Sequence, residues 1–196
     1  MHDIWLITGG GRSGKSEYAE KLAAEKAAAR GEGVGGRPGA LYIATGVAMD
    51  DEMAERIEKH RASRPEGWVT WERCFGFADI EREFDAGEFD AVLLDCVANL
   101  LMAVLFEEIP DADNFLSEDF ERVERRSILE IDALCDFAKR HDLRLIFVTN
   151  EVGMGVIPAT RYSRYYRDAL GRINKYIAKV SDRAVLMVAG IPMVLK

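Results

Sequence analysis

The octapeptide Gly9-Gly10-Gly11-Arg12-Ser13-Gly14-Lys15-Ser16 constrains this chain more than any other stretch, because of what stands on either side of it. An apolar, β-branched run, Ile4-Trp5-Leu6-Ile7-Thr8, precedes it, and a stretch with helical periodicity follows. Gly9 and Gly14 bracket four residues ahead of Lys15-Ser16, which is the GxxxxGK[ST] pattern in the strand–loop–helix setting that gives the pattern its meaning. A glycine-rich backbone in that setting curls so that successive N–H groups point at phosphate oxygens, backed by the positive end of the helix dipole. Gly9, Gly10, Gly11, Arg12, Ser13 and Gly14 are therefore a candidate phosphate cradle. Lys15 is placed to neutralise β and γ phosphates, and Ser16 to offer its hydroxyl to the Mg²⁺ that accompanies a nucleoside triphosphate.

The rest of the pattern predicts an α/β fold. Residues 4–8, 40–45, 91–95, 143–149 and 184–189 read as buried strands. Residues 15–30, 50–61, 119–139 and 161–180 read as helices, the last with Tyr162, Tyr166, Leu170, Ile173 and Ile177 at helical spacing. Strands alternating with helices imply a mostly parallel sheet flanked by helices, as in RecA-like P-loop NTPase domains. Residues 68–74 and 192–195 read as short strands, the second pairing antiparallel after the Gly190-Ile191-Pro192 turn. The glycine-rich residues 31–39 read as a surface connection within one domain spanning residues 1–196.

Composition narrows the partners. A net charge of −8 repels a polyphosphate backbone, so nucleic acid is disfavoured. No apolar run approaches the roughly 20 residues that span a bilayer, and the N-terminus lacks the features of a secretory signal, so the expectation is a cytoplasmic protein with no membrane segment. Cys74, Cys96 and Cys135 are odd in number and contain no CxxC, which suggests neither a disulfide framework nor a zinc site.

Several residues outside the loop are suited to the chemistry of a bound triphosphate. Residues 91–95 end a hydrophobic strand on Asp95, where the second protein partner of a nucleotide-bound Mg²⁺ is expected. The segment Val148-Thr149-Asn150-Glu151-Val152-Gly153 carries a strand into a loop and sets Glu151 at its carboxyl end, as a base, a metal-side carboxylate or a loop brace. Arg161, Arg164 and Arg167 form one stripe of a helix, facing either phosphates, including those of a neighbouring subunit, or solvent. No [NT]KxD motif is present, since Asn174-Lys175 is followed by Tyr176-Ile177, which argues against a small-GTPase switch. Met53, Ile57 and His60 share the apolar side of a predicted helix, a pattern that fits a packed histidine as well as a functional one.

The segments GGGRSGKS, LYIAT, DDEMAERIEKHRASRPEGW, VTNEVGMGVIP and RYSRYYRDALGRINK, in this order and spacing, resemble the bifunctional adenosylcobinamide kinase and adenosylcobinamide-phosphate guanylyltransferase family over nearly the whole chain. The resemblance implies phosphorylation of adenosylcobinamide with ATP or GTP, followed by transfer of GMP from GTP to the new phosphate through a histidine. His60 matches that histidine, and His2 and His141 match nothing functional. The resemblance further implies a homotrimer. The expected site is then His60, Lys15 and Glu151 in catalysis, the loop from Gly9 to Ser16 with Arg161 and Arg164 on the nucleotide, and Ser16 and Asp95 on Mg²⁺. Asp95 stands where some members carry Glu, which keeps the carboxylate but shortens its reach. The rival expectations are a RecA-like ATPase that switches a nucleic-acid or protein partner, and a nucleotide-binding scaffold without turnover.

Overall fold

The computed structural model describes residues 2–28, 39–46, 67–111 and 113–196. Among the described residues seven strands form one sheet: β1 Asp3–Gly9, β2 Gly39–Ala44, β3 Val69–Glu72, β4 Phe89–Asp95, β5 Arg144–Val148, β6 Arg183–Val188 and β7 Ile191–Val194. Their spatial order is β3-β2-β4-β5-β1-β6-β7. Every pairing is parallel except that of β7 with β6, which is antiparallel, as the Gly190 turn predicted. The central strands are mostly apolar because both faces of the sheet are covered, and in β4 every residue from Phe89 to Leu94, Asp90 included, is buried.

The helices are α1 Lys15–Ala28, the single-turn α2 Ile80–Glu83, α3 Val97–Glu108, α4 Ser117–His141 and α5 Arg161–Val180. The bounds of α5 are those the sequence predicts, with Thr160 capping the N-terminus by accepting the Ser163 N–H at 3.1 Å. Helix α4 starts two residues before the predicted segment and ends two after it. Helix α3 is absent from the sequence reading: it buries one face, with Val97, Ala98, Leu100, Leu101, Val104 and Leu105, but Met102, Ala103 and Phe106 on the less buried face are apolar too, which hides the amphipathic period that reveals a helix in sequence. The predicted helix over 50–61 and nearly all of the glycine-rich segment lie outside the described residues.

The strand order fixes which face each helix covers. From β1 the chain moves to β2 in one direction across the sheet, whereas β4 to β5 and β5 to β6 move in the other. Right-handed crossovers then place α1 on one face, and α3, α4 and α5 on the opposite one. Helix α4 packs against α3 and α5 there, while α1 packs across β1, β2, β4 and β5. Ion pairs bind the N-terminal edge, where Arg144 holds Asp3 at 2.7 Å. Hydrogen bonds from Arg144 and Trp5, with the charges of Arg144 and Lys26, hold the Asp3 carboxyl below its usual pKa although burial alone would raise it. Among the described residues no helix is long and apolar enough to cross a membrane, and all three cysteines are free thiols.

Candidate active site

The chains leaving β1 and β5 at their carboxyl ends diverge to opposite faces, one into α1 and the other towards α5, although the two strands are neighbours. A crevice opens at such a point in a doubly wound sheet, and ligands settle there. The loop of Gly9 to Ser16 leaves β1 and the segment from Thr149 to Gly153 leaves β5 side by side at this point.

The glycines of the loop serve two different needs. Gly9 has φ +152°, and a Cβ there would lie 2.4 Å from the Met187 carbonyl oxygen, so β6 passes too close for any side chain. Gly14 has φ +88° and faces the Cα of Gly190. Gly10 and Gly11 differ, since a Cβ on either would meet nothing within 4 Å. Their lack of side chains leaves the mouth of the loop open rather than satisfying the fold. Arg12 adopts the left-handed region at φ +58° and is exposed, which turns the backbone between Gly11 and Ser13. The β6–β7 turn supports the loop from behind, with the Gly190 N–H donating to the Ser13 carbonyl at 3.1 Å.

Lys15 is buried to 8% exposure, and its ammonium donates to the Gly10 carbonyl at 2.6 Å, which holds the charge across the loop. Ser16 follows at the first turn of α1, half-buried. Opposite, the Glu151 N–H donates to the Gly9 carbonyl at 3.0 Å, so this residue is fastened directly to the phosphate loop. One of its carboxylate oxygens, Oε1, accepts the Gly153 N–H at 2.5 Å.

Asp95 ends β4, which is separated from β1 by β5, placing its backbone two strand spacings, roughly 10 Å, from the loop strand. The Tyr42 hydroxyl donates to Asp95 Oδ2 at 2.8 Å. Next to it Thr45 ties β2 to β4 twice, its hydroxyl donating to the Cys96 carbonyl at 2.8 Å and accepting the Cys96 N–H at 2.6 Å. Burial, reinforced by Asp95, pushes the Cys96 thiol up to about 11, which makes it an inert packing group. Sequence reasoning passed over Tyr42 and Thr45; a tyrosine in an otherwise aliphatic strand and a threonine at its end were the available signals.

The arginines of α5 are engaged elsewhere. Arg161 lies 4.6 Å over the Phe115 ring and 5.4 Å from that of Tyr165. Arg164 donates to the carbonyls of Pro158 at 3.0 Å and Ala159 at 2.7 Å. Arg167 pairs with Asp168 and Arg172 with Glu124. Asn174, farther along α5, reaches the Asn150 carbonyl beside Glu151. A rise of 1.5 Å per residue therefore puts Arg164 roughly 15 Å and Arg161 roughly 20 Å along the helix from that level. The structure sets Lys15, Ser16 and Glu151 at the carboxyl ends of the neighbouring strands β1 and β5, places Asp95 at the end of β4 on the other side of β5, and sets the two arginines farther out along α5. His60 lies outside the described residues.

Residues 5–195 match the family model described as cobinamide kinase / cobinamide phosphate guanyltransferase. The chain is 39% identical over 191 residues to the bifunctional adenosylcobalamin biosynthesis protein CobU of Escherichia coli K12, covering 97% of this chain and 98% of that one. It is 40% identical over 195 residues to the CobU protein of Salmonella typhimurium, with the same coverage. The corresponding CobP protein of Pseudomonas aeruginosa is 38% identical over 192 residues, covering 97% of this chain and 96% of its own length.

Proposed function

Because the chain belongs to the cobinamide kinase / cobinamide phosphate guanyltransferase family, we propose that it is a transferase in which one phosphate loop serves two successive reactions of cobalamin biosynthesis. The observation that supports this reading is that the phosphate loop holds both Lys15, bonded to the Gly10 carbonyl, and Glu151, whose backbone is fastened to Gly9.

In the kinase reaction the aminopropanol hydroxyl of adenosylcobinamide attacks the γ-phosphorus of ATP or GTP, and the nucleoside diphosphate leaves. Glu151 takes the hydroxyl proton, while Lys15 and the loop amides of Gly9 to Ser16 stabilise the charge gathering on the phosphates. In the transfer reaction an imidazole nitrogen of His60 attacks the α-phosphorus of GTP. Pyrophosphate departs and a phosphoramidate forms, and an oxygen of adenosylcobinamide phosphate then displaces the imidazole to give adenosylcobinamide-GDP. The role of His60 rests on its match to the family's histidine motif.

Mg²⁺ would be held by the Ser16 hydroxyl and Asp95 together with the nucleotide's own phosphates. Hard oxygen donors of this kind suit it, and no cluster of three acidic, histidine or cysteine ligands exists among the described residues to hold an ion unaided. The ion would supply charge neutralisation on the phosphates. Arg164 joins the nucleotide by exchanging its carbonyl partners, and Arg161 its aromatic ones, for phosphate, and their distance from the chain's own loop favours the site of a neighbouring copy. We further infer a single domain over residues 1–196, assembled as a cytoplasmic homotrimer that acts on a small corrinoid. The net charge of −8 disfavours the rival nucleic-acid switch.

The test is the intact-protein mass after incubation with Mg-GTP, beside Mg-ATP and a His60→Ala variant. A gain of one GMP that mild acid removes and the variant lacks is expected. An unchanged mass in all three would leave the chain without its guanylyl intermediate.

A further inference from the structure

Three residues past the regular end of β5, Thr149, Asn150 and Glu151, are held from two sides. On one side the Thr149 N–H donates to the Ile7 carbonyl and the Glu151 N–H to the Gly9 carbonyl, both at 3.0 Å, extending the pairing with β1 into the phosphate loop. On the other stands one side chain of α5. Asn174 accepts a hydrogen bond from the Thr149 hydroxyl at 2.7 Å and donates its amide to the Asn150 carbonyl at 3.0 Å.

The orientation of this amide follows from its partners. A backbone carbonyl can only accept, so Nδ2 must face Asn150, which turns Oδ1 to the Thr149 hydroxyl and makes the hydroxyl the donor. Thr149 is fully buried, so its hydroxyl needs this partner. Neither Asp nor Leu at 174 could satisfy both neighbours. The two bonds secure the residues immediately before Glu151, while the Gly9 bond secures Glu151 itself. They also close the base of residues 150–160, which run out to the start of α5 and carry the exposed side chains of Met154, Val156 and Ile157. Without Asn174 the base of this segment would be fastened on the β1 side alone, its far end still held by Arg164 at the Pro158 and Ala159 carbonyls, and Glu151 would be freer to shift relative to the phosphate loop.

We propose that Asn174 is a positioning residue for phosphoryl transfer, acting through Thr149 and Asn150 to hold the Glu151 carboxylate at the crevice beside the phosphate loop. The inference rests on the reading of Glu151 as the base. Because Asn174 bonds to Thr149 and Asn150 rather than to the phosphate loop, its loss should lower kcat and spare nucleotide binding.

The test measures kcat and the nucleotide KM of the adenosylcobinamide kinase reaction for Asn174→Ala, Glu151→Gln and the double variant. A displaced catalytic group costs about 10- to 100-fold in rate, so Asn174→Ala should lose that much in kcat with KM within about twofold of the parent. The double variant should be no slower than Glu151→Gln alone, because the positioning bond then has nothing to position. An unchanged kcat in Asn174→Ala, or losses that multiply in the double variant, would overturn the inference while leaving Glu151 as base. A Glu151→Gln variant as fast as the parent would instead remove the base, and the inference with it. Should Asn174→Ala fail to fold, Thr149→Val removes one of the two bonds and should give a smaller kcat loss of the same kind, which Thr149→Ser should restore. A Thr149→Val variant with parental kcat would overturn the proposal.

Discussion

The phosphate loop and the N-terminal end of α5 are both rich in groups that bind phosphate, yet they hold those groups in opposite ways. In the loop the donors are main-chain amides whose directions are fixed by the backbone, with Lys15 spanning the ring it belongs to. In α5 the donors are guanidiniums on flexible stems, and each has found a carbonyl, an aromatic ring or a carboxylate within its own neighbourhood. A preorganised cradle needs little rearrangement to accept an anion, whereas Arg161 and Arg164 must first release their partners. The difference teaches that cationic residues in a sequence report charge, while a glycine pattern between a strand and a helix reports geometry.

The largest effect should come from the loop. Lys15→Ala is expected to abolish kinase and guanylylation alike, a loss of at least about 10²–10³-fold in each rate, measured by separate assays of the two reactions. Robust guanylylation by that variant would show that the two reactions do not share the loop. A second pair separates what the fold needs from what the ligand needs. Gly9→Ala should cost roughly 2–4 kcal/mol in denaturant unfolding, because a Cβ would collide with the Met187 carbonyl in a strained backbone region. Gly10→Ala, with open space around it, should unfold within about 0.5 kcal/mol of the parent and reveal itself only in weakened nucleotide binding. Equal unfolding costs at the two positions would erase that distinction.

The smallest effect belongs to α5. Arg164→Ala should raise the nucleotide KM about three- to tenfold, with kcat nearly unchanged, since it removes one charge-assisted contact formed after exchange. A loss as large as that of Lys15→Ala would break the comparison and place this helix end among the principal phosphate-binding elements. No change in KM would sharpen it, leaving these arginines to the Phe115–Tyr165 cluster and the loop of Pro158 and Ala159.

Much of the fold was legible because its signals are local. Strands β1, β4 and β5 carry apolar runs at residues 4–7, 91–94 and 145–148, α5 is strongly amphipathic with a threonine cap, and the antiparallel β7 follows the turn at Gly190, with Pro192 inside the strand. Helix α3 shows little period in sequence because Met102, Ala103 and Phe106, on its less buried face, are apolar as well. The placement of Lys15, Ser16 and Glu151 at the carboxyl ends of β1 and β5 was legible from motif and position. Tyr42, Thr45, Thr149 and Asn174 were not, because an uncharged polar side chain in a sequence does not name its partner. Asp95 was legible as a carboxylate at a strand end, but its separation from the loop strand by β5 was not.

By itself the sequence determined the phosphate loop, the parallel α/β class and the family, since each depends on short-range spacing: glycines set backbone curvature, and apolar periods set strand and helix. Only the tertiary structure decided that β5 lies between β1 and β4, that Glu151 is therefore bonded to Gly9, and that Asn174 fastens the same segment from the other side. Those contacts join residues 24 or more positions apart. Their existence depends on strand order and crossover handedness, which are properties of the packed chain as a whole and of no single stretch within it.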